Sequence, residues 1–281
     1  MYKLIIQGHG LSEHNVQIIA GKLGAREQKY NGYHTLLTDK KPSHTELDIL
    51  RHEYQCDLNL IPDNFDSRQT KLIISDMDST LITIECIDEI ADFAGIKPQV
   101  AAVTEAAMRG ELDFAQSLMQ RVSLLKGLPV DTLQKVYQQR LQLSPGTDTL
   151  LKMLKQQDIH FALVSGGFTY FTEQLQQRLG LNYTLANQLA IEDNKLTGKV
   201  DGEIVDANRK AHFLREVCQR MNISTAQAVA IGDGANDLKM MDVAGMGVAY
   251  HAKPKVQQQA DCALNYSGLD GLLALLEIEA Q

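Results

Sequence analysis

Residues 71–80 read KLIISDMDST, a short apolar run that leads directly into two aspartates separated by one residue. Two later apolar runs, FALV at 161–164 and AVAI at 228–231, lead in the same way into glycine-containing polar turns. Each run is followed by a helical pattern, and this alternation is typical of parallel strands that are buried on both faces. The sequence therefore predicts an α/β fold built on a doubly wound parallel sheet.

The ends of these three strands carry the side chains that can do chemistry. In open α/β sheets, ligands bind beyond the carboxyl ends of the strands, so residues there should meet. The residues expected at this edge are four carboxylates and one hydroxyl: Asp76, Asp78, Asp233, Asp237 and Ser165. Four carboxylates repel one another unless a cation lies among them, and oxygen ligands without His or Cys favour Mg²⁺. Glycine-rich turns offer N–H groups to an anion, so the pattern indicates phosphoryl transfer.

Lys210 is predicted to join this edge. It lies in the helical segment 208–221 and shares the inward face with Phe213 and Leu214, three and four residues later. Each motif alone has an ordinary interpretation: the D-x-D as a turn or N-cap, Gly-Asp-Gly as a turn, and Lys210 as a surface lysine whose chain covers apolar surface. Their joint occurrence at successive strand ends favours a catalytic site.

Residues 1–66 are predicted to form a separate α+β domain. Strands and helices follow the order β-α-β-β-α-β, which is ferredoxin-like. Asn31-Gly32 is a strong hairpin signal, Ser12 is a candidate N-cap, and Gly8-His9-Gly10 is interpreted as a strand-to-helix turn. The polar, turn-rich segment PDNFDSRQT at 62–70 is interpreted as a linker.

Residues 67–281 are predicted to form the sheet-based core with an inserted cap. The helical stretch between the first two core strands is too long for one crossover, so a helical cap is expected at about 85–143. The alternating segment 187–205 predicts hairpin strands and contains the pairs Thr197-Gly198 and Asp201-Gly202.

Composition excludes several classes of protein. The 281 residues carry 27 Lys+Arg against 35 Asp+Glu, a net charge of −8, which argues against nonspecific nucleic-acid binding. The N-terminus lacks a signal-peptide pattern and no apolar run is long enough to span a bilayer, so no membrane association is expected. The four cysteines show no metal-ligand spacing. We therefore expect reduced thiols in a cytoplasmic protein.

The motifs resemble those of the haloacid dehalogenase superfamily of aspartate-nucleophile hydrolases. The matching features are DMDST at 76–80, Ser165, Lys210 and GDGANDLKM at 232–240, and the resemblance covers about residues 70–270. More narrowly, the chain resembles phosphoserine phosphatases through Glu85, Arg121, SGGF at 165–168, KLTGKVDGEIVDANRK at 195–210 and the extended GDGANDLKMM motif. Residues 1–66 resemble small ACT-like regulatory domains in element order alone.

The resemblance implies a role for each matching residue. Asp76 would be the nucleophile that forms an aspartyl-phosphate, and Asp78 would protonate the leaving alcohol and then activate water. Mg²⁺ would be held by Asp76, the backbone carbonyl of Asp78 and Asp233, while Asp237 would ligate the ion or orient a water. The phosphoryl group would be bound by Ser165, the Gly166 N–H and Lys210. Asn236 would help to hold either the phosphoryl group or the substrate end.

The cap is expected to select the substrate. Phosphoserine carries an ammonium and a carboxylate, and Glu85 and Arg121 offer one partner to each. Phe114 and Met108 are candidate apolar walls of the pocket. The expected reaction is Mg²⁺-dependent hydrolysis of O-phospho-L-serine, the last step of serine biosynthesis.

Alternatives stay open at this point. They are phosphatase or phosphotransferase activity on another small phosphorylated metabolite, and a phospho-aspartate signalling or amino-acid-sensing module. Residues 1–66 could sense serine, mediate formation of a homodimer, or do neither.

Overall fold

The computed structural model describes residues 1–8 and 10–279, and within them the N-terminal strands form one four-stranded sheet. The strands are β1 (Tyr2–Gln7), β2 (Arg26–Lys29), β3 (His34–Thr38) and β4 (Asp57–Leu60), in the antiparallel order β2-β3-β1-β4. Helices α1 (Glu13–Leu23) and α2 (His44–Tyr54) complete the ferredoxin-like order. The predicted Gly8-His9-Gly10 turn lies partly outside the described residues, as do the last two residues of the predicted core, 280–281.

Local sequence explains where these helices begin and end. The Ser12 hydroxyl accepts a hydrogen bond from Asn15 N at 3.1 Å, which confirms the predicted N-cap of α1. Ser43 and Glu46 form a capping box at the start of α2. Helix α1 ends at Gly24, whose φ of 57° is the left-handed conformation that glycine adopts without strain.

In the described part of the chain, the core is a seven-stranded sheet in the order β11-β10-β9-β5-β6-β7-β8. The strands are β5 (Leu72–Ser75), β6 (His160–Phe168), β7 (Tyr183–Glu192), β8 (Lys195–Asp201), β9 (Ala228–Gly232), β10 (Met246–Tyr250) and β11 (Cys262–Leu264). All neighbours pair in parallel except β7 with β8. Leu72, Ile73 and Ile74 of the central strand are fully buried, as expected for a strand covered on both faces.

The helical cap lies in the chain between β5 and β6. Its helices are α3 (Cys86–Phe93), α4 (Lys97–Met108), α5 (Phe114–Leu124) and α6 (Asp131–Gln139). An isolated bridge between Ile82 and Leu143 brings the two ends of the insertion together. The cap packs through buried Leu118, Val122 and Leu133, which belong to the same hydrophobic cluster as the core strands. The predicted fold class, a doubly wound parallel sheet with a helical cap and a ferredoxin-like unit, is confirmed.

The remaining helices cover the core sheet. They are α7 (Thr147–Gln156), α8 (Thr169–Leu179), α9 (Ala207–Arg220), α10 (Leu238–Val243), α11 (Pro254–Gln257) and α12 (Gly271–Leu275). No helix in the described residues is long and apolar enough to cross a membrane.

The predicted hairpin is present, but its turn lies at neither Thr197-Gly198 nor Asp201-Gly202. Strands β7 and β8 pair Glu192 with Lys195, so Asp193 and Asn194 form the turn, with φ of 50° and 58°. Asn and Asp adopt this conformation more readily than other non-glycine residues, because their side chains can hydrogen-bond locally. Gly198 lies inside β8 instead, where a Cβ would meet Lys126 Cβ at 2.9 Å.

The N-terminal sheet docks against the edge of the core sheet through buried polar contacts. The Asn59 amide pairs with both backbone groups of Ala263 in β11, at 2.9 and 2.8 Å. The Asp57 carboxylate accepts hydrogen bonds from the backbone N–H groups that follow this strand: those of Asn265, Tyr266 and Ser267. These contacts cover the edge strand β11, which would otherwise expose unpaired backbone groups.

Candidate active site

A cavity of about 140 Å³ lies where the carboxyl ends of β5, β6 and β9 face the cap. Its lining combines the polar strand ends with residues of the cap helices: Asp76, Asp78, Glu85, Ile87, Phe114, Leu118, Arg121, Ser165, Gly166, Gly167, Phe168, Asp233, Gly234 and Asn236. The predicted site residues Lys210 and Asp237 lie behind this surface and are fully buried.

Asp76 is held at the end of the central strand. Its backbone N–H donates to Ile231 O of β9 at 2.9 Å, which continues the β5–β9 pairing by one residue. The chain then leaves the sheet in an irregular turn in which Ser79 has a φ of 57°. A non-glycine residue in this region costs free energy and is common at functional sites. The turn directs Asp76 and Asp78 into the same cavity.

Lys210 joins the carboxylates of Asp76 and Asp237. Its ammonium donates to Asp76 Oδ1 and to Asp237 Oδ1, the latter at 2.7 Å. Burial lowers the pKa of Lys210, but the carboxylates of Asp237 and Asp76 outweigh burial and hold the pKa above its ordinary value. Burial raises the pKa of Asp76 well above its ordinary value, and Lys210 opposes that shift. The lysine therefore remains charged and favours the ionised form of Asp76.

The side chain of Asp78 points away from that cluster. Its Oδ1 accepts a hydrogen bond from Cys86 N at 2.8 Å, and its Oδ2 accepts one from Ser165 Oγ at 3.2 Å. Burial raises the pKa of Asp78, although the hydrogen bond from Cys86 N opposes the shift. A carboxyl group with a raised pKa can hold a proton and release it, as a general acid requires.

Residues 165–167 form a bulge within β6, called the Gly166 loop below, and its two glycines have no room for side chains. A Cβ on Gly166 would meet Phe114 Cζ at 2.7 Å, and a Cβ on Gly167 would meet Asp78 Oδ2 at the same distance. Gly167 N donates to Ser165 Oγ at 2.7 Å. The two glycines allow this backbone to approach the Asp78 carboxyl group and Phe114 of the cap closely.

Three of the predicted metal ligands come together. Asp76, Asp233 and Asp237 each offer an oxygen, and these oxygens lie within 4.8 Å of one another. Burial raises the pKa of Asp233 to about 6, with a further contribution from the charge of Asp237. The donor set consists of oxygens, which suits a hard divalent cation such as Mg²⁺. The Asp78 carboxylate is not part of this group, and the expected role of the Asp78 backbone carbonyl stays a prediction.

Glu85 and Arg121 line the opposite wall of the cavity, which belongs to the cap. Glu85 precedes α3 and accepts a hydrogen bond from Ser79 Oγ at 2.6 Å. Burial raises the pKa of Glu85 to about 7, and the charge of Asp78 adds to the shift. Burial lowers the pKa of Arg121, whose Nε donates to Ser117 O at 3.4 Å.

The two predicted apolar walls have different outcomes. Phe114 lines the cavity at the start of α5. Met108 does not, because it is the last residue of α4 and 69% exposed. The prediction for Met108 was wrong because helical spacing does not determine where a helix ends relative to the pocket.

Sequence reasoning missed Asn187, which lies in β7 and contacts the Gly166 loop. Its amide Nδ2 donates to Gly166 O at 2.8 Å, and the residue is 1% exposed. The signal that could have indicated it is an amide in the mostly apolar strand segment YTLANQLAI at 183–191, because a buried amide needs specific partners.

Comparison with known proteins agrees with this geometry. The family model for haloacid dehalogenase-like hydrolases matches residues 70–245. A phosphoserine phosphatase of Polaromonas sp. is 54% identical over 212 residues, which cover 74% of this chain and 90% of that protein. The unliganded structure of a probable phosphoserine phosphatase from Vibrio cholerae is similar at a TM-score of 0.84 and 41% identity, covering 98% of this chain and 86% of that one.

A second solved structure is described as a substrate-bound phosphoserine phosphatase complex. It is 40% identical, with a TM-score of 0.68, and the match covers 75% of this chain and 99% of that one. The family model, the sequence relative and the solved structures thus agree on the family. The chain therefore belongs to the haloacid dehalogenase-like hydrolases and, within them, to the phosphoserine phosphatase family of enzymes.

Proposed function

We propose that this chain hydrolyses O-phospho-L-serine to L-serine and phosphate through an aspartyl-phosphate on Asp76, with Mg²⁺, as the last step of serine biosynthesis. The observation that carries the proposal is one cavity with Asp76 and Asp78 on the core side and Glu85 and Arg121 on the cap side. The relatives named above support the choice of substrate.

The charges of the cavity match those of phosphoserine. Its phosphate would lie against Asp76, where Ser165, the Gly166 N–H, Lys210 and Asn236 would hold its oxygens. Its ammonium would meet Glu85, and its carboxylate would meet the planar guanidinium of Arg121. Phe114 and Leu118, which line the cavity beside Arg121, would pack against the short carbon chain.

In the first step, an Asp76 carboxylate oxygen would attack phosphorus, and the bond from phosphorus to the serine oxygen would break. Asp78 would give its proton to that oxygen, so that serine leaves as a neutral alcohol. The raised pKa of Asp78 supports this role, because the group can then hold a proton before attack.

In the second step, Asp78 would accept a proton from water as the water oxygen attacks phosphorus. The bond from Asp76 to phosphorus would break, which releases phosphate and restores the Asp76 carboxylate. Asp78 ends the step protonated, as it began the first step, so the cycle closes.

Asp76, Asp233 and Asp237 would hold Mg²⁺ together with the backbone carbonyl of Asp78. When bound, Mg²⁺ supplies positive charge that neutralises the phosphoryl oxygens as the transition state forms. The raised pKa values of Asp76 and Asp233 support this assignment, because a cluster of buried carboxylates needs more positive charge than Lys210 alone provides.

We further propose a division into a regulatory domain at 1–66 and the catalytic core at 67–281, with the cap at about 85–143. The described four-stranded sheet lies within residues 2–60, and the seven-stranded sheet lies within residues 72–264, which supports a boundary between them. We also propose a cytoplasmic location. Four buried free thiols, Cys56, Cys86, Cys218 and Cys262, suit a reducing compartment.

A substrate panel tests the proposed function. Purified protein is incubated with phosphoserine, phosphothreonine and sugar phosphates, with and without Mg²⁺, and released phosphate is measured. Preferred, Mg²⁺-dependent release from phosphoserine is expected. Faster release from another compound would assign a different substrate, and a burst of phosphoprotein without turnover would indicate a signalling module.

A further inference from the structure

Asn187 connects two parts of the site that are remote from each other in sequence. Its Nδ2 donates to Gly166 O in the Gly166 loop of β6, and its Oδ1 accepts from Val205 N, both at 2.8 Å. The side chain is buried, so neither bond is open to exchange with bulk water. One side-chain amide therefore binds both a backbone carbonyl and a backbone N–H group.

The register of β6 and β7 explains why these groups need a partner. Val164 pairs with Leu185 and Phe168 pairs with Asn187, so β6 has three residues (165–167) where β7 has only Ala186. The additional residues bulge out of the sheet and line the cavity. A bulge interrupts the backbone hydrogen bonds between two strands, and here the Asn187 side-chain amide binds a backbone carbonyl of the bulge.

The bond to Gly166 O orients a whole peptide unit. A trans peptide is planar, and its carbonyl and N–H point in opposite directions. Asn187 holds the carbonyl of the unit between Gly166 and Gly167, while the N–H of the same unit donates to Ser165 Oγ at 2.7 Å. Asn187 thus directs the N–H that positions the Ser165 hydroxyl.

The bond to Val205 N reaches the other phosphate-binding element. Asp206 follows directly and is the N-cap of α9, where its Oδ1 accepts from Arg209 N at 2.8 Å. Lys210 lies in the first turn of this helix and contacts Asp76. The same amide therefore links the start of the Lys210 helix to the Gly166 loop.

We propose that Asn187 is a positioning residue for the phosphoryl group, because it holds Ser165, the Gly166 loop and the start of the Lys210 helix around one anion. This inference rests on the proposed function, and it predicts a particular pattern of effects. Every phosphomonoester carries the phosphoryl group, so loss of Asn187 lowers the affinity for all substrates and for inorganic phosphate by the same factor. Loss of Arg121 instead affects substrates that carry a carboxylate.

The chain offers a matched control in Asn59. This residue is also fully buried and also makes two hydrogen bonds with one side-chain amide, to Ala263 N and O. It lies in β4, where it contacts the edge strand β11, and it does not line the cavity. Asn59→Ala and Asn59→Asp therefore measure how the loss of a buried amide outside the cavity affects stability and phosphate binding.

The experiment compares Asn187→Ala and Asn187→Asp with the two Asn59 variants. Inorganic phosphate binding is measured by calorimetry in Mg²⁺, and KM is measured for phosphoserine and for an aryl phosphate. Asn187→Asp keeps the side-chain volume and the acceptor for Val205 N but, when ionised, cannot donate to Gly166 O. Asn187→Asp should raise the Kd for phosphate and both KM values about tenfold, the factor expected for one lost buried hydrogen bond. Asn187→Ala loses both hydrogen bonds and should raise the same three constants at least as much.

The proposal would be overturned if the Asn187 variants bound phosphate as tightly as the wild type. It would also be overturned if the Asn59 variants lost as much phosphate affinity as the Asn187 variants. Failure of both Asn187 variants to fold, while the Asn59 variants fold, would also overturn it, because Asn187 would then serve the fold rather than the site. Absence of phosphoserine hydrolysis by the wild type would refute the proposed function instead. In that case, calorimetry with phosphate still decides the role of Asn187.

Discussion

The Lys210 ammonium lies 2.7 Å from Asp237 Oδ1, and both side chains are fully buried. The same ammonium contacts Asp76 Oδ1, so one positive charge serves two carboxylates. Breaking a buried ion pair by removal of one partner is costly, because it leaves an uncompensated charge in the protein interior. The first prediction follows from this arrangement.

Lys210→Met should abolish activity and lower the free energy of unfolding by about 3–5 kcal/mol. The control is Lys22→Met, which breaks the exposed pair with Glu53. We expect little change in the control, because exposed pairs contribute little. Urea denaturation and phosphate release measure both variants. Equal stability of the two variants would show that Lys210 does not neutralise the carboxylates.

Asp76→Asn should abolish turnover with phosphoserine, because an amide cannot form the aspartyl-phosphate. The thermal unfolding midpoint should stay close to that of the wild type, because Lys210 keeps its pair with Asp237 and the substitution removes a charge that burial disfavours. Phosphate release and circular dichroism provide the measurements. Substantial turnover by a correctly folded variant would refute Asp76 as the nucleophile.

Arg121→Ala should raise the KM for phosphoserine by about 10- to 100-fold, the range expected for lost charge-assisted hydrogen bonds. The KM for an aryl phosphate without a carboxylate should change much less. Arg109→Ala provides the control, because Arg109 also lies in the cap region but pairs with Glu111 at the surface. The assignment fails if both substrates lose affinity equally in Arg121→Ala.

The affinity for phosphoserine should depend on the ionisation of Glu85. Burial raises the pKa of Glu85 to about 7, and only the ionised carboxylate attracts the substrate ammonium. The ratio of KM for phosphoserine to KM for an aryl phosphate should therefore fall as the pH rises through about 7. Both compounds carry a phosphate, so the effect of phosphate ionisation on KM cancels in this ratio. Glu85→Gln should abolish the dependence, and an unchanged dependence in this variant would contradict the role of Glu85.

Mg²⁺ should raise the thermal unfolding midpoint, because an ion that binds only the folded state stabilises it. Chelation should abolish activity, and addition of Mg²⁺ should restore it. Asp233→Asn should reduce the Mg²⁺-dependent shift, whereas Asp131→Asn at the exposed start of α6 should not. An equal shift in both variants would exclude Asp233 as a ligand.

Much of the site could be predicted from local patterns. Asp76, Ser165 and Asp233 follow apolar strands in the sequence, and parallel strands bring their carboxyl ends to one edge of a sheet. Lys210 was recognisable because helical periodicity placed it with Phe213 and Leu214. Glu85 and Arg121 came from the family resemblance and from helical spacing, and both line the cavity.

Other features depend on the register and packing of elements that are distant in sequence. The position of the hairpin turn, at Asp193 and Asn194, depends on how β7 and β8 pair. The dipeptides Thr197-Gly198 and Asp201-Gly202 nearby do not mark it. The docking of Asp57 on the turn after β11 joins residues about two hundred positions apart. No local pattern in either segment indicates its partner.

The sequence by itself determined the alternation of strands and helices, the α/β class and the polar residues that follow the central strands. These depend on apolar periodicity and on residue types at strand ends, which are local properties. Only the tertiary structure decided that Lys210 is fully buried between two carboxylates and that Asn187 supports the Gly166 loop. Burial and hydrogen-bond partners depend on which segments pack together, and the pKa shifts at Glu85 and Asp233 follow from that packing.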